Sequence, residues 1–237
     1  MTFVAFFLLI FPLVVIASFW GDVKGGNFIY RLCKIWADTM FPLWGIHHTN
    51  IFEAPHDYNR QYVFVFNHCS YMDIPLIMKS IRKQHFRVLG KSEMAKIPLF
   101  GFMYKKAVVM VDRSNPAKRA NSLRLLKASI QKGISVVIAP EGTFNMGTQP
   151  LKSFYDGAFK VAIETQTPIK PMLFLDAYDR LNHTPLFSLT PGKSRTIHLQ
   201  EISVKGLTLE DVPALKEKVY AIMEEKLIQY KATWIQS

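Results

Sequence analysis

The sequence predicts an α/β fold, with a largely parallel central sheet flanked by helices and preceded by an N-terminal helical membrane anchor. From Tyr62 onward, short apolar runs rich in β-formers alternate with helical stretches, as in proteins whose helices cover a parallel sheet. The first twenty residues are apolar, and no internal repeat is visible in the 237 residues. We therefore expect membrane-anchoring helices at residues 1–48 and one α/β domain at residues 49–237.

The N-terminal stretch from Thr2 to Trp20 contains no charged side chain. At about 1.5 Å per residue it has the length to span or deeply enter a bilayer. No Lys or Arg precedes it and no Ala-x-Ala pattern follows it, so a cleaved signal peptide is not favoured. The first cations, Lys24, Arg31 and Lys34, come after it, which predicts that the rest of the chain lies on the cytoplasmic face of the cell membrane.

A second apolar stretch covers residues 27–46 and mixes aromatic residues such as Trp36 and Trp44 with Arg31 and Lys34. This pattern favours an amphipathic helix at the membrane surface. The alternative is a core helix that packs on the domain.

The net charge is +11, which favours anionic partners. Nucleic acid, anionic lipid headgroups and a polyanionic cosubstrate such as coenzyme A all fit this charge. The membrane segment and the lack of a recognisable nucleic-acid-binding motif argue against nucleic acid. The two cysteines, Cys33 and Cys69, form no metal-ligand pattern, and a cytosolic compartment would keep them reduced.

The remaining elements follow from local patterns. Asn115-Pro116 predicts a helix start and Lys132-Gly133 its end, and a closing amphipathic helix is expected at about residues 211–230. The predicted strands are residues 62–67, 86–90, 107–111, 135–139, 169–174 and 195–201.

The chemistry is expected just after the first of these strands, where His68 and Asp73 lie five positions apart. A hydroxyl is a poor nucleophile at neutral pH, and a histidine is a suitable base to activate it. A carboxylate that accepts the other ring N–H fixes the tautomer of that base. Asp73 precedes Ile74-Pro75, which predicts a helix start, so a turn can bring the two side chains together. The alternative is a helix cap and an unrelated strand-end histidine.

Four sequence blocks favour the catalytic interpretation, because they resemble the blocks of the glycerolipid acyltransferase family in order and rough spacing. They are Asn67-His68 with Asp73, Val111-Asp112-Arg113, Glu141-Gly142-Thr143 and Pro168-Ile169-Lys170-Pro171. Within that family, the chain resembles the bacterial 1-acyl-glycerol-3-phosphate (lysophosphatidate) acyltransferases. The resemblance covers about residues 62–174, and the N-terminal membrane element agrees with it.

The resemblance implies transfer of a fatty acyl group from acyl-CoA or acyl carrier protein to a lysophospholipid or glycerol phosphate, without a metal, another cofactor or an acyl-enzyme. By the same resemblance, His68 is the general base and Asp73 orients it. Arg113 and Lys91 are expected to bind the acceptor phosphate. Glu141, Gly142 and Thr143 are expected to shape the acceptor pocket, with the glycine allowing close backbone approach. The expected partners are the lipid bilayer, the lysolipid acceptor and the acyl donor.

One departure from the family pattern bears on the acceptor. The family usually has arginine after the third block, whereas this chain has Phe144. A phenyl ring cannot make the bidentate phosphate contacts of a guanidinium, so Lys152, Lys91 or Arg113 would have to bind the phosphate. The alternatives are an acyltransferase for another lysolipid, such as a lyso-ornithine lipid, and a non-catalytic membrane lipid-binding protein.

Overall fold

Seven strands form one sheet within the residues that the computed structural model describes, which are 2–112, 115–182 and 188–235. They are β1 (Ile46–Phe52), β2 (Val63–Phe66), β3 (Phe86–Lys91), β4 (Val109–Val111), β5 (Ser135–Ile138), β6 (Ile169–Phe174) and β7 (Gly192–His198). Their spatial order is β1-β7-β6-β2-β5-β3-β4. Every neighbouring pair is parallel except β6 with β7. The carboxyl ends of β2, β5 and β3 therefore lie next to one another at one edge of the sheet.

Helices cover both faces of this sheet. They are α1 (Thr2–Ala17), α2 (Gly21–Leu43), α3 (Asp73–Ser80), α4 (Phe100–Ala107), α5 (Pro116–Gln131), α6 (Gly157–Glu164), α7 (Ala177–Arg180) and α8 (Val212–Gln229). The connection from β2 through α3 to β3 runs towards the β4 edge of the sheet. The connection from β4 through α5 to β5 runs in the opposite direction. Right-handed crossovers then put α3 and α5 on opposite faces. Helix α2 packs with α1, α3 and α4, and α6 packs with α5 and α8.

The predicted α/β class with a mostly parallel sheet is confirmed. The helix predicted between Asn115 and Gly133 is α5, and the Asn115 side chain caps it by accepting the N–H of Lys118 at 3.1 Å. Two strand predictions were wrong in detail, and one strand was missed. Ala107 belongs to α4 and not to β4, β7 begins three residues earlier than predicted, and β1 was not predicted at all. The boundary predicted after residue 48 falls inside β1, and the division into two domains stays a prediction.

The N-terminal helices are joined to the sheet by a buried arginine. Arg87 of β3 donates from its guanidinium to the Asp22 carbonyl at 3.0 Å and to Asn27 Oδ1 at 2.9 Å, both in α2. A Cβ on Gly26 would lie 2.5 Å from this guanidinium, so a larger residue there would displace the Arg87 side chain. Among the described residues, the stretch Ala5–Leu43 is the one helical segment long and apolar enough to cross a membrane, by length and composition.

A buried histidine makes the stability of the fold depend on pH. His198 in β7 stacks on Phe52 with 4.3 Å between ring centroids, and burial lowers its pKa to about 3. The unfolded chain binds this proton near pH 6.5, so the folded state loses stability as the pH falls from about 6.5 towards 3.

We expect the free energy of unfolding to fall below pH 6.5 by up to about 1.4 kcal/mol per pH unit from this group alone. Chemical denaturation between pH 7.5 and 4.5 measures it. The slope of the free energy of unfolding against pH should be smaller in a His198→Asn variant. Equal slopes in the two proteins would contradict the assignment.

Candidate active site

The centre of the site is the end of β2. All four residues of β2 are buried. Asn67 and His68 directly follow the strand, and His68 is the first of them to be partly exposed. The Asn67 side chain donates to the Phe174 carbonyl at 3.2 Å and accepts the Phe174 N–H at 2.8 Å. This buried amide extends the pairing of β2 with β6 by one residue, so it fixes the backbone that carries His68. The sequence contained the asparagine, but its pairing across the sheet was not predicted.

His68 and Asp73 are in direct contact. His68 Nδ1 lies 2.7 Å from Asp73 Oδ2, which also accepts the N–H groups of Cys69 and Ser70 at 3.2 Å. The turn is closed by the Met72 N–H, which donates to Ser70 Oγ at 2.9 Å. Asp73 begins α3, and its carboxylate reaches back over this turn towards the strand end.

This geometry defines the state of the histidine. An ionised carboxylate only accepts hydrogen bonds, so Nδ1 carries the proton and the lone pair of Nε2 is available as a base. The His68 side chain is 22% exposed and that of Asp73 is 1% exposed. Burial raises the pKa of the Asp73 carboxyl, and the bonds from His68, Ser70 and Cys69 oppose this effect. The pair can therefore take a proton from a hydroxyl at Nε2.

The neighbouring cysteine does not take part in this chemistry. The Cys69 side chain is buried, and burial raises the pKa of its thiol well above 9. A thiol that stays protonated is a poor nucleophile. The site is therefore suited to a base that activates the acceptor directly.

A loop from the end of β5 holds the backbone of His68 on both sides. The His68 N–H donates to Glu141 Oε1 at 2.7 Å, and the His68 carbonyl accepts the Asn145 N–H at 2.6 Å. Glu141 Oε2 accepts the N–H of Lys152 at 2.9 Å. Glu141 is 1% exposed, and burial raises the pKa of its carboxyl to about 7 against the opposing bonds from Lys152 and His68. Both carboxylate oxygens are thus occupied by backbone amides.

The residue that departs from the family pattern lies against the imidazole. The ring centroid of Phe144 is 4.4 Å from that of His68 and 4.8 Å from that of Tyr71. The phenyl ring covers part of the imidazole and limits its rotation. The sequence showed the missing arginine, but nothing local to Phe144 predicted this contact.

We expect a Phe144→Leu variant to lower kcat by about two- to tenfold, because an aromatic pair contributes roughly 0.5–1.5 kcal/mol beyond its buried area. The acceptor KM should change little, since the ring positions the imidazole. Steady-state kinetics measure both constants. An unchanged kcat with a raised KM would show that Phe144 contacts the acceptor instead.

The other predicted site residues lie around this centre at different distances. Gly142 follows Glu141 with φ +74°, a conformation that glycine adopts without strain, and Thr143 is half-buried beside it. Lys91 ends β3, which is two strands away from β2, or about 10 Å across the sheet. Arg113 lies outside the described residues.

An apolar groove of about 530 Å³ lies between the N-terminal helices and α3 and α4. Tyr71 lines it and also contacts Phe144, so the groove approaches the catalytic pair. Its other walls include Phe7, Ile10, Trp36, Ile97 and Phe100. Such a surface binds hydrocarbon, at about 0.8 kcal/mol per buried CH₂.

Comparison with known proteins agrees with this arrangement. A family model described as Acyltransferase matches residues 46–175. The chain is 37% identical to a 1-acyl-sn-glycerol-3-phosphate acyltransferase of Cocos nucifera, over 48% of this chain and 37% of that protein. It is 26% identical to the human 1-acyl-sn-glycerol-3-phosphate acyltransferase beta, over 73% of this chain and 62% of that protein. The chain thus spans less than two thirds of each of these relatives.

The fold as a whole is shared with a solved structure. The 1-acyl-sn-glycerophosphate acyltransferase PlsC from Thermotoga maritima superposes with a TM-score of 0.71 at 22% identity, over 98% of this chain and 96% of that one. The family model covers more than half of the chain and includes the His68–Asp73 pair. The chain belongs to the acyltransferase family and is an enzyme that transfers acyl groups.

Proposed function

We propose that this enzyme is a 1-acyl-sn-glycerol-3-phosphate O-acyltransferase. It transfers a fatty acyl group from acyl-CoA or acyl carrier protein to the sn-2 hydroxyl of lysophosphatidate and forms phosphatidate for phospholipid biosynthesis. The observation that carries this proposal is the His68–Asp73 contact of 2.7 Å beside an apolar groove. The names of the relatives from coconut and human support the choice of acceptor.

The reaction follows from the geometry of the pair. His68 Nε2 accepts the proton of the acceptor hydroxyl as its oxygen attacks the thioester carbonyl carbon. Asp73 stabilises the imidazolium that forms. The tetrahedral intermediate then breaks its C–S bond, and the imidazolium returns the proton to the leaving thiolate. The thioester supplies an activated acyl group, so this reaction requires no further cofactor.

The N-terminal helices support a membrane location for the substrates. Leu9 and Phe19 are 75% and 83% exposed, and Leu8, Leu13 and Ile16 are also exposed. Such a surface is stable in contact with lipid rather than with water. The lysolipid then reaches the groove laterally from the cell membrane. The acyl donor arrives from the cytoplasmic side, as the cations after the apolar segment predict.

Phe144 supports a second candidate class of acceptor. The ring in place of the arginine removes one phosphate contact, so an acceptor without a phosphomonoester, such as a lyso-ornithine lipid, is the second candidate. A purely lipid-binding role is disfavoured, because simple binding requires no His–Asp pair.

A matrix of donors and acceptors tests the proposal. Purified enzyme in anionic vesicles is given labelled acyl-CoA or acyl carrier protein together with lysophosphatidate, lyso-ornithine lipid or glycerol 3-phosphate. We expect labelled phosphatidate as the main product. Transfer only to the lyso-ornithine lipid would reassign the acceptor, and no transfer to any acceptor from either donor would refute the proposal.

A further inference from the structure

We propose that Lys152 binds the phosphate of the acceptor, and that Glu141 fixes the position of Lys152 relative to His68. This inference rests on the proposed function and assigns the phosphate contact that Phe144 cannot make. The geometry of one buried carboxylate carries it.

Glu141 connects the base to Lys152 through the backbone. Its two oxygens accept the N–H of His68 at 2.7 Å and the N–H of Lys152 at 2.9 Å. Hydrogen bonds of this length at both oxygens of one carboxylate hold the two amide nitrogens within about 8 Å of each other. Because Glu141 is buried, this spacing is set by the core and not by mobile surface groups.

The segment that carries Lys152 is itself held in place. Leu151 and Phe154 are buried on either side of it. The Leu151 carbonyl accepts from Tyr220 Oη at 3.3 Å, and the Tyr155 N–H donates to the Pro140 carbonyl at 2.9 Å. The backbone at Lys152 is therefore anchored before and after the residue.

The side chain of Lys152 is exposed, in contrast to its anchored backbone. Its charge acts on Glu141, where it lowers the pKa of the carboxyl against the larger effect of burial. An ammonium on a four-carbon stem reaches roughly 6 Å from its backbone, which is comparable with the spacing between the amide nitrogens of Lys152 and His68. In lysophosphatidate the phosphate is on the carbon next to the one with the reacting hydroxyl, so its cation must lie close to the base.

Lys91 is less well placed for this contact. It ends β3, whereas Glu141 directly follows β5, the strand beside β2. Lys91 is thus one strand further from His68, about 5 Å across the sheet. A role for Lys91 at the outer side of the headgroup or on the donor remains compatible with this assignment.

The ionisation state of Glu141 determines the pH at which the variants should be compared. The charged groups that act on it are Asp73 and Lys152, and it acts in turn on Cys69 and Tyr220. Only the ionised carboxylate accepts both amide bonds in full. Assays at pH 8, above the pKa of about 7, keep it in this form.

The test compares Lys152→Met with the wild type on two acceptors, lysophosphatidate and the uncharged 1-acylglycerol. We expect the KM for lysophosphatidate to rise at least tenfold, with kcat changed less than about threefold and with at most a twofold change in KM for 1-acylglycerol. Lys152→Arg should restore most of the affinity. The matched control is Lys132→Met, which removes an exposed lysine after α5 at the opposite edge of the sheet. It should leave kcat and both KM values unchanged.

A second variant tests the positioning role of Glu141. Glu141→Gln keeps the size but places an amide NH₂ against one of the two backbone donors, so kcat should fall at least tenfold with both acceptors. An unchanged KM for lysophosphatidate in Lys152→Met, or an equal rise for both acceptors, would overturn the inference. A wild type that does not acylate lysophosphatidate would instead refute the proposed function, before any variant is compared.

Discussion

Replacing His68 by alanine is expected to lower kcat by about 10²- to 10⁴-fold, the range that general-base catalysis contributes. The variant keeps the groove and the anchored loops, so both substrates should still bind. Initial rates of labelled phosphatidate formation, measured at saturating donor and acceptor, give the ratio.

His47→Ala is the matched control, because His47 is an exposed histidine of β1. It should retain the wild-type kcat. Thermal unfolding of the His68 variant should stay near that of the wild type, since His68 is partly exposed. A loss in kcat of less than about tenfold would show that another group acts as the base.

Replacing Asp73 by asparagine is expected to lower kcat on the order of 10²-fold or more. Asp73 Oδ2 accepts three N–H bonds, from the imidazole and from the amides of Cys69 and Ser70. An asparagine amide that turns its NH₂ towards His68 requires the other tautomer, which places the proton on Nε2 and removes the base. It also leaves the developing imidazolium without a counter-charge.

The steady-state constants separate this effect from a loss of binding. The KM values for donor and acceptor should change by less than about threefold, because the Asp73 side chain is only 1% exposed. Asp57→Asn, in an exposed loop, is the matched control. A variant with unchanged kcat would show that Asp73 serves only the turn into α3.

The parts of the fold that were predictable have strong local signals. β2, β5 and β6 are continuous buried runs, and α5 has Asn115-Pro116 at its start. β1 has no such signal, because its sequence is polar in the middle and it is stabilised by pairing with β7. The start of β7 at Gly192 is set by its alignment with Ile46, which no local pattern contains.

The same contrast holds at the site. The spacing of His68 and Asp73 and the proline at position 75 allowed a turn that joins them, and the resemblance of the four sequence blocks to the family made this the prediction. The sequence led us to expect Glu141 in the acceptor pocket, whereas the structure places both its oxygens on backbone amides. The contact between Glu141 and His68 joins residues that are 73 positions apart, so it depends on β5 lying next to β2 in the sheet.

A double-mutant cycle tests most directly whether His68 and Asp73 act as one catalytic unit. The kcat for acyl transfer to lysophosphatidate is measured for the wild type, His68→Ala, Asp73→Asn and the double variant. If Asp73 acts through His68, the double variant should be as fast as His68→Ala alone, within about twofold. Losses that multiply would contradict the account, because Asp73 would then act on the reaction independently of His68.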